Sequence, residues 1–324
     1  MLVLLNIVII LFLCFVMYKA SQWLVEGIKV LADGGVLGKF LLASIFAGIA
    51  TSVPEIFVAV TAALEGSPNI GFGNAIGSNI ANLGLVFALG VLLSPHLFRV
   101  HRQDFSLRTI FLLLTSCLFP FLLALDGSLS RVDGAFLMAL FLLYSLFIFN
   151  KQADTHKPGF FNFLYRLEHF LQKGEVKRQL LHVVLALTVL MISSHFMVKS
   201  AVFLSTVLNI RPFLIAVFVL APGTSLPELF VAIASIKKRE IDVLYGDLFG
   251  SMITNANLVI GLSSVITPYY LKVFPEYLLS LLGLLIIFVL FVVFSLSKNR
   301  FEKWEALVLL GVYLLFFVSE ALAF

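Results

Sequence analysis

Apolar residues dominate this chain in runs of about 20, the length an α-helix needs to cross a bilayer core of roughly 30 Å. The runs lie near residues 2–21, 37–63, 71–95, 105–125, 133–150, 180–206, 212–236, 243–267, 274–296 and 303–322. They predict an all-α polytopic membrane protein with ten transmembrane helices. The shorter, strictly alternating segments of a membrane β-barrel are absent from the pattern. Residues 22–36 read as an amphipathic extension of the first helix followed by a Gly-rich turn. Residues 151–179 form the one long polar stretch and divide the chain into 1–150 and 180–324, with five helices each. The first apolar run starts at residue 2 without a basic leader, so it reads as a spanning helix and not as a secretory signal.

The polar positions inside the apolar runs repeat. ATSVPEIFVA from Ala50 and GNAIGSNIANL from Gly73 recur 173 positions later as GTSLPELFVA from Gly223 and GDLFGSMITNANL from Gly246. Thr51, Ser52, Pro54, Glu55, Gly77, Ser78 and Asn82 thus match Thr224, Ser225, Pro227, Glu228, Gly250, Ser251 and Asn255. Five helices is an odd number, so the second half must enter the membrane from the opposite side. The loops agree. LEGSPN follows the first motif helix with no basic residue, and KKRE follows the second. Two inverted five-helix repeats with ionisable groups in broken helices are the build of many secondary transporters.

Charge fixes the orientation. Of the 22 basic residues, 18 flank the first, third, seventh and ninth connections or lie in the central linker. The positive-inside rule makes that side cytoplasmic, with both termini outside and the linker inside, in a cell membrane. This bias accounts for the net charge of +4, and no basic stripe with interleaved aromatics points to nucleic acid. The composition, 61% hydrophobic and 12% charged with a mean hydropathy of +1.08, leaves the carboxylates of the motif in an apolar medium. Such groups are costly there and are retained for function.

The motif assembles oxygen. Proline has no N–H for the carbonyl four residues back. Pro54 is therefore expected to free the carbonyl of Ala50, and Pro227 that of Gly223. Thr51, Ser52 and Glu55 share one helix face, as do Thr224, Ser225 and Glu228. On the following helices Asn74, Ser78 and Asn82 form one polar stripe, and Asp247, Ser251 and Asn255 its partner. Gly73, Gly77 and Gly84, with Gly246 and Gly250, permit close helix approach. Hard cations take carboxylate, carbonyl and amide oxygens. No sulfur or imidazole accompanies the motif, which argues against zinc or copper. Cys14 and Cys117 read as small buried hydrophobes, and His182 and His195 as structural residues of the sixth helix. Two glutamates match one divalent ion, and several sodium ions could share the same oxygens. A proton carried on a glutamate is the alternative counter-ion. No H-E-x-x-H or G-x-S-x-G motif supports the remote alternative, a membrane-embedded enzyme. No cofactor and no obligate protein partner is expected beyond inorganic cations and the lipid bilayer.

The pairs ATSVPE/GTSLPE and GNAIGSNIAN/GDLFGSMITN resemble the two α-repeats of the cation/calcium exchanger superfamily, especially its compact prokaryotic sodium/calcium exchangers. The resemblance implies ten helices, four central ion sites and alternating access, with the first and sixth helices sliding against the core. It implies Glu55 and Glu228 as the central acidic ligands. Thr51, Ser52, Ser78, Asn82, Thr224, Ser225, Ser251 and Asn255 would complete the sites, with the carbonyls of Gly48 and Ala221. The second repeat departs from the family pattern. Asn255 stands where several members carry Asp, Met252 replaces a polar Asn, and Asp247 replaces the usual Asn. The carboxylate stands eight residues earlier, about two turns, and Asp247 joins the candidate ligands.

Overall fold

The protein is described here by a computed structural model, covering residues 2–31, 49, 51–94, 98–99, 107–152, 174–238, 241–270, 274–297 and 300–323. Helix α1 spans Leu2–Leu31, and α2 (Val53–Leu64) is shorter. α3 (Pro68–Ala81) continues through a π-helical turn, Asn82–Phe87, into Ala88–Leu93. α4 (Leu107–Leu123), α5 (Arg131–Gln152) and α6 (Gly174–Leu208) follow. α7 is built from Pro212–Ile215, a π-helical turn at Ala216–Leu220 and Ala221–Thr224. After a break at Ser225 comes α8, Leu226–Lys238. α9 (Ile241–Ile253) runs through a third π-helical turn, Thr254–Val259, into Ile260–Ile266. α10 (Phe274–Ser297) and α11 (Lys303–Ala323) close the chain.

Among the described residues, seven helices are long and apolar enough to cross a membrane. Each predicted run from 71–95 onward coincides with a helix, whereas most of 37–52 and residues 153–173 lie outside the described residues. α1 continues to Leu31, within the stretch expected to extend it, whereas α6 exceeds expectation and starts six residues early, at Gly174.

Two-residue ribbons join the ends of the helices. β1 (Phe98–Arg99) pairs with β4 (Arg300–Phe301), and β2 (Ser128–Leu129) with β3 (Tyr269–Tyr270). A 173-residue shift carries each ribbon approximately onto the other, so they obey the same exchange of halves as the motifs. Ser130 and Asp133 open α5 with reciprocal caps: Ser130 N–H donates to Asp133 at 2.8 Å, and Asp133 N–H to Ser130 Oγ at 3.2 Å.

The packing falls into two apolar bodies. One joins α1 and α6 with one face of α2 and the start of α7, through Ile10, Met17, Ala186, Leu190, Met197 and Leu220 among others. The other holds α3, α4, α5, α9, α10 and α11. The span of α3 is 78% buried and that of α9 72%, against 28% for α1 and 33% for α6. α3 and α9 are therefore the central helices, and α1 and α6 lie side by side at the periphery. Leu4, Phe12, Leu181 and Met191 point outward from that pair. Lipid is the natural solvent for so large an apolar exterior.

Without a hydrophobic drive between helices in lipid, close contact depends on small residues. A Cβ on Gly73 would stand 2.5 Å from the carbonyl oxygen of Phe213, and one on Gly77 2.9 Å from Cα of Val217. α3 and α7 touch backbone to backbone there. Gly84 lies equally close to Tyr313, while Gly246, the counterpart of Gly73, has nothing within 4 Å. The second repeat therefore does not use its first glycine for close approach, contrary to the sequence expectation.

Candidate cation site

Both motif helices break at a serine. Ser52 (φ −82, ψ 7) and Ser225 (φ −79, ψ 10) share a bridge-region conformation, and each precedes a helix with proline in its first turn. Glu55 and Glu228 occupy the first turns of α2 and α8. Unpaired N–H groups and the helix dipole favour a carboxylate at such a position. Both glutamates are fully buried.

The carbonyl expected to be bare at Gly223 is not. Backbone N–H groups at the Ser225 cap donate to Ala221 O and Gly223 O. Ala221 O also accepts the Thr224 hydroxyl, at 3.3 Å. The tight turn replaces the bond that Pro227 removes. Ala50 and Gly48 lie outside the described residues.

The polar stripes of α3 and α9 face these breaks, and the two halves bond in matched pairs. Ser78 donates to Glu55 Oε1 at 3.2 Å, and Ser251 to Glu228 Oε1 at 2.9 Å. Thr51 donates to Asp247 Oδ1 at 2.9 Å, and Thr224 to Asn74 Oδ1 at 3.2 Å. The hydroxyls of each broken helix thus reach the stripe of the other repeat. Beyond this the symmetry fails. Ser52 and Asn82 both donate to Ser251, at 2.9 and 3.1 Å, whereas Ser225 Oγ and both amide atoms of Asn255 are buried without a hydrogen-bond partner.

Glu55 Oε2, Glu228 Oε2, Asp247 Oδ2 and Asn82 Oδ1 are likewise buried and unpartnered. Each such neutral group costs about 1–3 kcal/mol, and charged ones more. Their concentration among one set of hydrogen-bonded residues makes this the candidate cation site. The charge of Glu228 acts on both Glu55 and Asp247. Among the described residues, no Lys, Arg or His forms an ion pair with any of the three. Lys19 instead lies over the rings of Phe15 and Tyr18, at 5.8 and 5.3 Å from their centres. Nor, among the described residues, do three His, Cys, Asp or Glu side chains gather closely enough to hold a metal by themselves. A cation held there would need hydroxyl, amide or main-chain oxygens in addition.

Three features escaped the sequence reading. Asn79 donates to Met252 O at 3.1 Å and so stitches α3 to α9. The π-helical turns begin at Asn82 and Thr254, one beside each stripe's end, and widen both helices there. His195 pairs with Glu65, and Ser194 with Thr61 at 2.8 Å, tying α6 to the far end of α2.

α1 meets the site at Cys14. Its sulfur lies 2.2 Å from where a Cβ on Gly223 would stand, and its own Cβ 3.2 Å away. Gly223→Ala is therefore expected to impair transport. Cys14→Ala added to it should restore much of the rate, because only the sulfur clashes. Flux in proteoliposomes of the three variants checks this; no relief in the double variant contradicts the contact.

The sodium/calcium exchanger protein family matches residues 5–150 and 179–320, nearly the whole chain. The chain belongs to this family. It is similar to inner membrane protein YrbG of Escherichia coli, 32% identical over 79% of this chain and 78% of that protein. It is also similar to the sodium/calcium exchanger MaX1 of Methanosarcina acetivorans, 24% identical over 97% of both. Among solved structures, the exchanger NCX_Mj soaked with Na+ and Sr2+ superposes with a TM-score of 0.62 at 25% identity, covering 97% of each chain. The exchanger is thus a multi-pass membrane transporter of the cation/calcium antiporter kind and not an enzyme.

Proposed function

We propose that this exchanger moves Na+ against Ca2+ by alternating access, both ions competing for one site centred on Glu55 and Glu228. Two fully buried carboxylates on matched broken helices, each with one unpartnered oxygen and no described basic partner, carry this reading. Thr51, Ser52, Ser78, Asn82, Thr224, Ser225, Asp247, Ser251, Asn255 and the carbonyls of Gly48 and Ala221 supply the remaining ligands. Ca2+ takes six to eight oxygens, so a divalent ion recruits several of these at once.

The chain crosses the membrane ten times as two inverted repeats, 1–150 and 180–324, with the linker 151–179 in the cytoplasm and both termini outside the cell membrane. The exchange symmetry of the two ribbons and of the Ser78–Glu55 and Ser251–Glu228 bonds supports that arrangement. The packing of α1 with α6 in an apolar body apart from that of the central helices supports their movement as one body across the faces of α2 and α7 that they cover. An empty site leaves repelling carboxylates in a low dielectric and resists that movement; a filled one permits it. Exchange of more than two Na+ per Ca2+ moves charge, worth about 2.3 kcal/mol per 100 mV.

Calcium uptake by proteoliposomes under Na+, K+ or H+ gradients, imposed one at a time, tests the counter-ion. The Na+ gradient alone should drive uptake. Uptake sustained by a pH gradient without sodium would assign proton/calcium exchange instead.

A further inference from the structure

We propose that His195 on α6 and Glu65 at the end of α2 form a proton-binding latch that holds the carrier in one of its two access states. The inference rests on the proposed sliding of α1 and α6 across α2. Two contacts make the latch. His195 Nδ1 pairs with Glu65 Oε1, and the hydroxyls of Ser194 and Thr61 bond at 2.8 Å. Both contacts join a helix of the sliding pair to the helix that carries Glu55. Sliding changes the register of α6 on α2, so both must break in each cycle. The imidazole and carboxylate side chains are 41% and 27% exposed, so a proton reaches them from water. Glu65 stands ten residues, about 15 Å, beyond Glu55 along the helix, away from the candidate cation site.

In an inverted repeat, a change of access state exchanges the roles of the two halves. A contact made in both halves therefore weighs both states alike, and a contact made in one half favours one state. The latch belongs to one half. A shift of 173 residues matches Ser194 and His195 to Ser21 and Gln22 of α1, and Thr61 and Glu65 to Ala234 and Lys238 of α8. Alanine has no hydroxyl, and glutamine makes no ion pair with lysine. Ser21 and Gln22 bond within α1 instead, to Tyr18 O at 2.8 Å and to the Tyr18 hydroxyl at 2.6 Å. Charge makes the latch respond to pH. Imidazole as a class gains its positive charge between about pH 8 and pH 5, and the cation pairs with a carboxylate more strongly than the neutral ring does. The latched state thus binds the proton more tightly than the released one, and acid shifts the population toward it. Other titratable groups on α6 and the elements packed against it are placed elsewhere. On α6 itself Lys199 lies one turn further on and His182 nearer the start. Cys14 of α1 lies against Gly223, Lys19 over the rings of Phe15 and Tyr18, and Arg211 before α7 acts on Tyr277.

Na+-driven Ca2+ flux of the full chain in proteoliposomes, at equal pH on both faces, tests the latch. From about pH 8 to about pH 6, wild-type flux should fall roughly two- to fivefold further than that of His195→Gln, the weight of a partly exposed ion pair. Glu65→Gln should behave as His195→Gln does, and the double variant as either single one, because the two residues act as one pair. Acid inhibition through the central carboxylates is common to all four proteins and cancels in the ratio. Equal pH responses of wild type and both single variants overturn the proposal. The paired hydroxyls give a second test that leaves the charges in place. Thr61→Cys combined with Ser194→Cys should close a disulfide on oxidation and stop flux until reductant is added, while oxidised wild type keeps its rate. Undiminished flux in the crosslinked protein would mean that α6 does not move on α2, and the sliding falls together with the latch. Arrested flux in the crosslinked protein with equal pH responses in the others overturns the latch alone and leaves the sliding intact.

Discussion

Glu55→Gln and Glu228→Gln should each reduce Na+-driven Ca2+ flux by about 100-fold or more. The substitution keeps the side-chain volume and an oxygen for the hydroxyl of Ser78 or Ser251, but removes one of the two charges that balance a divalent ion. A loss of roughly 3 kcal/mol in ion stabilisation is two decades in affinity. Folding should survive, since one of two repelling buried carboxylates is gone. The variants should therefore melt, without ions, at or above the wild-type temperature. Calcium should no longer raise that temperature, because stabilisation by a ligand requires binding to the folded state. Wild-type flux in either variant would refute the assignment.

Gly73→Ala and Gly246→Ala should have opposite outcomes although they alter equivalent positions of the repeat. At Gly73 the new methyl meets a main-chain carbonyl, Phe213 O, at 2.5 Å and the Phe213 ring at 2.9 Å. Backbone cannot rotate away, so α3 and α7 must separate, at a cost of about 1–3 kcal/mol. The neighbouring Asn74 then loses its position against Thr224, and flux falls with stability. At Gly246 nothing lies within 4 Å, and alanine gains roughly 1 kcal/mol of helix propensity. Melting temperatures and initial flux rates of the two variants decide the matter. Equal destabilisation would mean that the α3–α7 contact is not the tight one.

The spans were legible because their length and apolarity are local properties. The candidate site was legible because the same Thr, Ser, Pro and Glu occur twice, and proline and a first-turn carboxylate act on their own helix. What depends on a neighbour was not legible. The Gly223 carbonyl is taken up by the tight turn at Ser225, a consequence of the exact backbone path. Nothing in the spacing distinguishes Gly73, pressed on Phe213, from Gly246, which is free. The π-helical turns add a residue per turn without a composition of their own, so a stripe counted at intervals of four stops being regular at Asn82 and Asn255. The pairing of His195 with Glu65 joins positions 130 residues apart, and no repeat logic predicts it, since Lys238 stands where the second half would need the acid. The failed symmetry at Ser225 and Asn255 is of the same kind: identical residues, with different partners across the interface.

An experimental structure of the exchanger soaked in Sr2+, with anomalous scattering to locate the ion, tests most directly whether Glu55 and Glu228 hold the divalent cation between them. The expected result is one strong peak bound by an oxygen from each carboxylate, at about 2.3–2.6 Å by the geometry of calcium, and absent from the Glu55→Gln variant. A peak bound by neither glutamate, or no peak under conditions that support transport, contradicts the account.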